Sequence, residues 1–518
     1  MLPKRASRLY NSTKNICAVI VCQIINLVLQ FFLRTVFVRC FSSEYLGLNG
    51  LFTNILSLLS LSELGLGHAV VFSLYGPVVR NEHQTINAIM EFYKKAYTCI
   101  GICILFLGCI LTPFLPWFIK EVPDIPYLQV IYLMYVINTA ESYFFSFRQA
   151  CIIANQKNYM LTMNHCIWKS LNIIVQCIIL LVLKNYYLYL LCQLIFTLAE
   201  NISISKMAVT VFPYLKEKPK GKISNYYLDL IVNNTKALVF HKIGSMVVFS
   251  SDNILLSKLF GVMVVGIYSN YTLIFQAIDS VISQFFTAIT ASVGNLRQTG
   301  SVEHQKLIFY VIQLVGYAFY LIITLLILNV LNPVIEVWIG SGYLLSYDII
   351  TILAINTFMA GMRRCLWVFN DSLGLHVFYK YMPVPESIIN IAASVFLGKM
   401  WGVIGIFIGT LISSLSTCFW IEPKVLFKHG FGENTHEYWH KYCKYIVGGT
   451  AACACVIPLS GFLISLSRWN IIFAAIANVI VGIIFTIIVS WNTEEANYIK
   501  SILRRGMNNM LSPVLKGK

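Results

Sequence analysis

Residues 29–75 read LQFFLRTVFVRCFSSEYLGLNGLFTNILSLLSLSELGLGHAVVFSLY. Two long apolar runs meet at a short polar turn, Ser42-Ser43-Glu44. Each run is long enough to cross a bilayer, which takes roughly 20 apolar residues. Arg34 lies inside the first run and Glu63 inside the second. A charge at the bilayer centre costs about 2.5–3.5 kcal/mol on insertion scales. A chain that carries both needs a polar or watery interior to hold them, and the remaining sequence reads as further helices built around that interior.

The whole composition agrees with that reading. The 518 residues are 58% hydrophobic and 12% charged, with a mean hydropathy of +0.73. A soluble chain carries about 25% charged residues, so this is an all-α polytopic membrane protein. The formal net charge is +16, from 38 Lys+Arg against 22 Asp+Glu. The bases lie in or beside short loops, where topology accounts for them; no basic stripe interleaved with aromatics marks a nucleic-acid partner. The 15 cysteines are scattered singly, with Ala452-Cys453-Ala454-Cys455 the tightest pair. That spacing implies neither a zinc site nor a disulfide framework. Lys4, Arg5 and Arg8 precede the run Ile16 to Val38, which is too long for the apolar region of a signal peptide and reads as an uncleaved first helix.

About fourteen segments have spanning length: 15–39, 46–76, 91–119, 127–154, 160–183, 186–212, 230–257, 262–294, 307–331, 343–370, 376–398, 402–427, 442–466 and 470–491. With the N-terminus in the cytoplasm, about 28 of the 38 bases fall on the inner side and about six on the outer side. The positive-inside rule therefore puts both termini in the cytoplasm. The inner loop 213–228 carries Lys-Glu-Lys-Pro-Lys-Gly-Lys at 216–222 and reads as the joint between two halves. The division is 1–212 as an N-terminal lobe of six helices, 213–228 as linker and 229–430 as a C-terminal lobe of six. Two extra helices at 431–491 and a cytoplasmic tail at 492–518 complete it. The halves echo each other. Arg39-x-Phe41-x5-Gly47 parallels Lys258-x-Phe260-x5-Gly266 at a constant offset of 219. Internal repeats in a polytopic chain point to a transporter with its site where the repeats meet.

An ionisable residue within a span is a functional candidate by default. Arg34, Glu63, Glu141, Lys169, Glu200, Lys206, His241, Lys242, Asp252, Asp279, Glu386 and Glu422 all fall within segments. Arg34, Lys169 and Lys242 are the candidate cations for an anionic substrate headgroup. Glu63, Asp252, Glu141 and Asp279 are candidates for tuning those cations or coupling to an ion. For Glu141 and Asp279, pairing with neighbouring helices is the competing reading; for Arg34, snorkelling to the outer surface. Gly65 and Gly67 follow Glu63 and permit a kink or close helix approach. Pro383-Val384-Pro385-Glu386 reads either as a broken span or as the start of a helix. No Walker A string and no H-E-x-x-H occurs, so uphill transport would draw on an ion gradient, the membrane potential or consumption of product.

Tyr45-Leu-Gly-Leu-Asn49, then Ser60-Leu-Ser-Glu-Leu-Gly-Leu-Gly67, Tyr75 and Pro77 resemble the opening of Wzx-type polysaccharide flippases of the multidrug/oligosaccharidyl-lipid/polysaccharide exporter superfamily. Ser251-Asp252-Asn253-Ile254, Phe260-Gly261, Val265-Gly-Ile-Tyr268 and Ser269-Asn-Tyr271 resemble the family's seventh and eighth helices, and Gly402-Val-Ile-Gly405 with Gly409-Thr410 its twelfth. The resemblance implies two pseudo-symmetric six-helix lobes plus two C-terminal helices in the bacterial cytoplasmic membrane, working by alternating access. The implied substrate is an undecaprenyl-pyrophosphate-linked oligosaccharide repeat unit for O-antigen, capsule or exopolysaccharide. Implied partners are membrane lipids, a polysaccharide polymerase and a chain-length regulator. No cofactor is implied beyond a coupling ion, Na+ or H+. Asn253 stands at the repeat-related position of Arg34, so the two lobes need not bind alike. Two alternatives stay open. One is an ion-coupled drug or metabolite antiporter of the same superfamily. The other is a membrane glycan-transfer enzyme, which would need a sizeable outer loop or a clustered His/Asp/Glu site that the sequence lacks.

Overall fold

The structure, a computed structural model, describes residues 4–63, 65–219, 221–299 and 301–515. Side chains are described for these except at 4–17, 61, 62, 237, 238, 240–242, 245, 246, 248, 249, 291, 292, 295, 297–299, 468 and 505–515. All regular structure among the described residues is helical. Ten of the helices are long and apolar enough to cross a membrane. Many present exposed apolar side chains, such as Ile476, Ile480, Ile483 and Ile487 on one of the last helices. A backbone in lipid must satisfy its own hydrogen bonds, and helices do so within the segment. This is a multi-pass membrane protein.

The chain forms two compact units, residues 1–271 and 272–518. The first begins with α1 (Lys4–Cys40), α2 (Ser43–Leu59) and α3 (Leu66–Arg80). It continues with α4 (His83–Leu111), α5 (Leu128–Phe145), α6 (Gln149–Ala154), α7 (Asn158–Ile178), α8 (Tyr186–Val211) and α9 (Asn225–Phe260). It ends within α10 (Val262–Thr299). α9 packs on α2 and α3, which is why this unit extends past the basic linker. The linker itself is tied to α4: the buried Asn87 side chain donates to the carbonyls of Tyr214 (2.7 Å) and Glu217 (3.1 Å). One apolar core gathers Leu48, Phe52, Tyr132, Val136 and Leu180; another gathers Val70, Leu74, Ile89, Tyr93 and Ile104.

The repeat offset of 219 is met in space. Gly47 and Gly266 are repeat-related, as are Ser43 and Val262. A Cβ on Gly47 would collide with the Val262 carbonyl, and a Cβ on Gly266 would collide with the Ser43 carbonyl. The contact is reciprocal, as it is across a local two-fold axis. The missing side chains let the starts of α2 and α10 approach backbone to backbone.

The second unit holds α11 (Val302–Asn329), α12 (Leu331–Ile339), α13 (Tyr347–Met362), α14 (Arg364–Leu373) and α15 (Pro383–Trp401). α16 (Val403–Ser416), α17 (Cys418–Val425), α18 (His436–Leu466), α19 (Ile471–Val489) and α20 (Glu494–Leu515) follow. Phe309 sits at its centre, edge-on to Phe369 and Phe427 at 5.4 and 5.6 Å. Pro383 opens α15, a position where the missing N–H costs nothing. Of the two readings of Pro383-Val384-Pro385-Glu386, the helix start is the one found.

Several apolar segments of the sequence are interrupted helices. Segment 46–76 breaks at a 3-10 turn, Ser60–Glu63, followed by Gly65 at φ +85°, a conformation that favours glycine. Segment 127–154 breaks at Ser146–Arg148, and segment 343–370 at Arg363, between α13 and α14. Each break carries a charged residue. Freed backbone groups at such depth are tolerated where protein or a cavity surrounds them.

Candidate functional site

The first unit holds three polar sites. At the first, Arg34 leaves α1 toward the start of α10. Its Nη1 donates to Ser269 Oγ at 2.8 Å and, more weakly, to Asn270 Oδ1 at 3.4 Å. Both acceptors are braced by the Gly266 carbonyl, which takes hydrogen bonds from Ser269 Oγ (2.7 Å) and Asn270 Nδ2 (3.3 Å). The hydroxyls of Tyr135 and Tyr189 lie within electrostatic range, in a wall of rings formed with Phe37 and Tyr186. Among the described residues no carboxylate pairs with Arg34. Asp252 is half-buried on α9, within electrostatic range of Tyr268.

At the second site, Glu63 ends the turn between α2 and α3. Tyr97 on α4 donates to its Oε1 at 2.8 Å, and Tyr143 on α5 to its Oε2 at 3.5 Å. A Cβ on Gly67 would stand 3.0 Å from Glu63 Oε1, Tyr93 OH and Tyr97 OH alike, so the carboxylate and two phenols close over the glycine. Among the described residues no base pairs with Glu63. Glu141, also on α5, is buried, and its Oε1 has no hydrogen-bond partner.

The third site is a cleft of about 180 Å³ between α1 and α7, into which Lys169 opens. On its rim His165 Nδ1 meets Glu200 Oε1 of α8 at 2.7 Å. The side chain of the remaining candidate cation, Lys242, lies outside the described residues.

In the second unit Asp279 on α10 pairs with Arg364 at the start of α14, and more than half of its side chain is exposed. Next to that pair stands a charged cluster that inspection of the sequence missed. Arg363 grips Glu422 of α17 with two bonds, Nε to Oε2 at 2.9 Å and Nη2 to Oε1 at 2.7 Å. Trp367 Nε1 donates to the same Glu422 Oε1 at 3.1 Å, and Cys418 Sγ donates to Glu386 Oε1 at 3.2 Å. Glu386 and Glu422 were legible one by one as charges in apolar runs. By sequence Arg363 adjoins Arg364 near a segment end and counts among the inner-side bases; in the structure it turns toward Glu422. Further along, Lys306 bridges Glu433 (2.6 Å) and Glu437 (2.8 Å), and Lys441 reaches Glu495 (3.0 Å). Among the described residues no group of three His, Cys, Asp or Glu side chains could hold a metal ion.

By sequence the chain matches no family model and no curated protein. Its backbone is another matter. It aligns with the lipid II flippase MurJ in an inward closed conformation at a TM-score of 0.64 and 13% identity, over 91% of this chain and 98% of that one. This chain has the fold of those membrane exporters. The Vibrio cholerae MATE transporter VcmN aligns at 0.57 and 13% identity, over 83% and 99%. An inward-facing multidrug resistance MATE family transporter of the MOP superfamily aligns at 0.56 and 13%, over 77% and 95%. Within this MOP-type fold the charges divide in two. The second unit ties the described charges named above into ion pairs, apart from Glu386, which takes a thiol. The first leaves Arg34, Glu63 and Glu141 without a partner of opposite charge among the described residues, while Lys169 lies within electrostatic range of Glu200.

Proposed function

We propose that this chain is a flippase that carries undecaprenyl-pyrophosphate-linked oligosaccharide repeat units across the bacterial cytoplasmic membrane by alternating access, for surface polysaccharide assembly. The observation that carries the reading is Arg34, a cation inside an apolar bundle that among the described residues bonds only neutral acceptors. The fold is that of a structure titled a lipid II flippase, which supports a lipid-linked cargo. Pyrophosphate is anionic, and a guanidinium in a low-dielectric site attracts it strongly and binds its oxygens two at a time. Both termini lie in the cytoplasm in this reading, and a polymerase and chain-length regulator take up the product. Translocation makes no covalent bond, so the chain acts as a transporter and not as an enzyme.

A second reading, an ion-coupled antiporter, draws on Glu63, a carboxylate held by two phenols with no base beside it among the described residues. One experiment separates the two. The purified chain goes into liposomes carrying a fluorescent undecaprenyl-pyrophosphate oligosaccharide, and loss of signal to a membrane-impermeant quencher is followed. Transfer between leaflets without ATP is expected. Exchange of organic cations against Na+ or H+, with the glycolipid held on one leaflet, overturns the proposal in favour of the antiporter.

A further inference from the structure

α1 presents two kinds of surface. Ile20, Val21, Ile24, Ile25, Val28 and Phe32 point outward and are exposed. Gln23, Asn26 and Gln30 recur at i, i+3 and i+7 and share the opposite, cleft-lining face. Across the cleft α7 repeats the spacing with Thr162, His165 and Lys169. Two polar rows therefore face each other across the cleft.

Polar rows of this kind commonly glue membrane helices together by hydrogen bonds between them. These do not. Among the described residues, none of Gln23, Asn26, Gln30 or Lys169 has a hydrogen-bond partner, and Asn26 Oδ1 is shut off from solvent as well. Thr162 bonds only its own helix, at the Asn158 carbonyl. His165 and Glu200 engage each other, Glu200 also lies within electrostatic range of Lys169, and Lys169 is the cation that lines the cleft. A buried polar atom left unmatched is costly; Asn26 Oδ1 is one, and with half-buried Gln23, Gln30 and Lys169 lining the same cleft it suits an occupant that matches them.

We propose that the cleft between α1 and α7 is a saccharide subsite that takes one sugar ring bearing a negative charge. The class of ligand rests on the proposed flippase function. Each carboxamide offers donors and an acceptor, as each sugar hydroxyl does. Lys169 supplies the charge for a ring carboxylate or an attached phosphate. The cleft, at about 180 Å³, is smaller than the roughly 300–1,000 Å³ of sites for drug-sized ligands, so it accepts one ring and not an oligosaccharide.

The test is saturation-transfer NMR on the full chain in nanodiscs, with glucuronate and glucose 1-phosphate as separate probes. Transfer to at least one is expected, and which one responds identifies whether the charge sits on the ring or on a phosphate. Lys169→Gln and Asn26→Leu should each weaken binding about tenfold, the value of one charge-assisted hydrogen bond, and Lys169→Arg should restore it. Gln30→Leu, on the same row, replaces Asn26→Leu if that variant does not stay monodisperse. No transfer to either probe, transfer undiminished in the variants, or complete displacement by equimolar inorganic phosphate overturns the inference. Failure of the liposome assay with saccharide binding intact counts against the flippase reading alone; flipping without saccharide binding counts against this inference alone.

Discussion

Arg34 lies within α1 and Arg363 at the junction of α13 and α14, both in apolar segments, yet their surroundings differ. Arg363 is locked to Glu422 through two bonds and stacks on Trp367 at 5.3 Å. Its charge is cancelled, and the α13–α14 junction is pinned by it to α17. Arg34 bonds a serine and an asparagine, so its charge stays uncancelled. A buried charge matched by a carboxylate serves the architecture; one matched only by neutral dipoles remains available to an anion. The contrast separates a charge that is cancelled in the second unit from one that meets only neutral groups among the described residues of the first.

Three substitutions break or sharpen it. The largest expected effect on stability is that of Glu422→Gln, which strands Arg363 as a buried unpaired cation at a cost of about 3–5 kcal/mol. Thermal unfolding in detergent measures it, and the double change Arg363→Met with Glu422→Leu should recover most of the loss. Unchanged stability in E422Q would erase the contrast. Next comes Arg34→Ala. It removes hydrogen bonds from a charged donor worth about 1.5–3 kcal/mol at most, yet it should abolish surface glycan at normal protein level. Immunoblots of the chain beside glycan staining decide this, and normal display would place Arg34 among the structural charges. The smallest is Asp279→Asn. More than half of the Asp279 side chain in its pair with Arg364 is exposed, and exposed pairs contribute about 0–1 kcal/mol. A loss above that range in the same unfolding assay would mean that this pair too is part of the architecture.

The ionisable candidates were legible because each interrupts an apolar run, which is a local property. Arg34 lies on α1 and Lys169 on α7, while Glu63 lies at the break between α2 and α3. The Arg363–Glu422 pair was hidden because its partners are 59 residues apart and one of them neighbours a second arginine. The row Gln23, Asn26, Gln30 went unread because uncharged carboxamides barely alter hydropathy, although their helical spacing would have exposed them. The offset of 219 located Gly47 and Gly266 as counterparts, while their mutual contact needed coordinates.

From its amino acids alone this chain is committed to many helices in a membrane, because hydropathy and helix formation sum over neighbours along the backbone. Which charges cancel and which stay open was decided only by tertiary packing. That outcome depends on distances of a few ångströms between residues remote in sequence, and Coulomb energy and hydrogen bonding change steeply over just such distances.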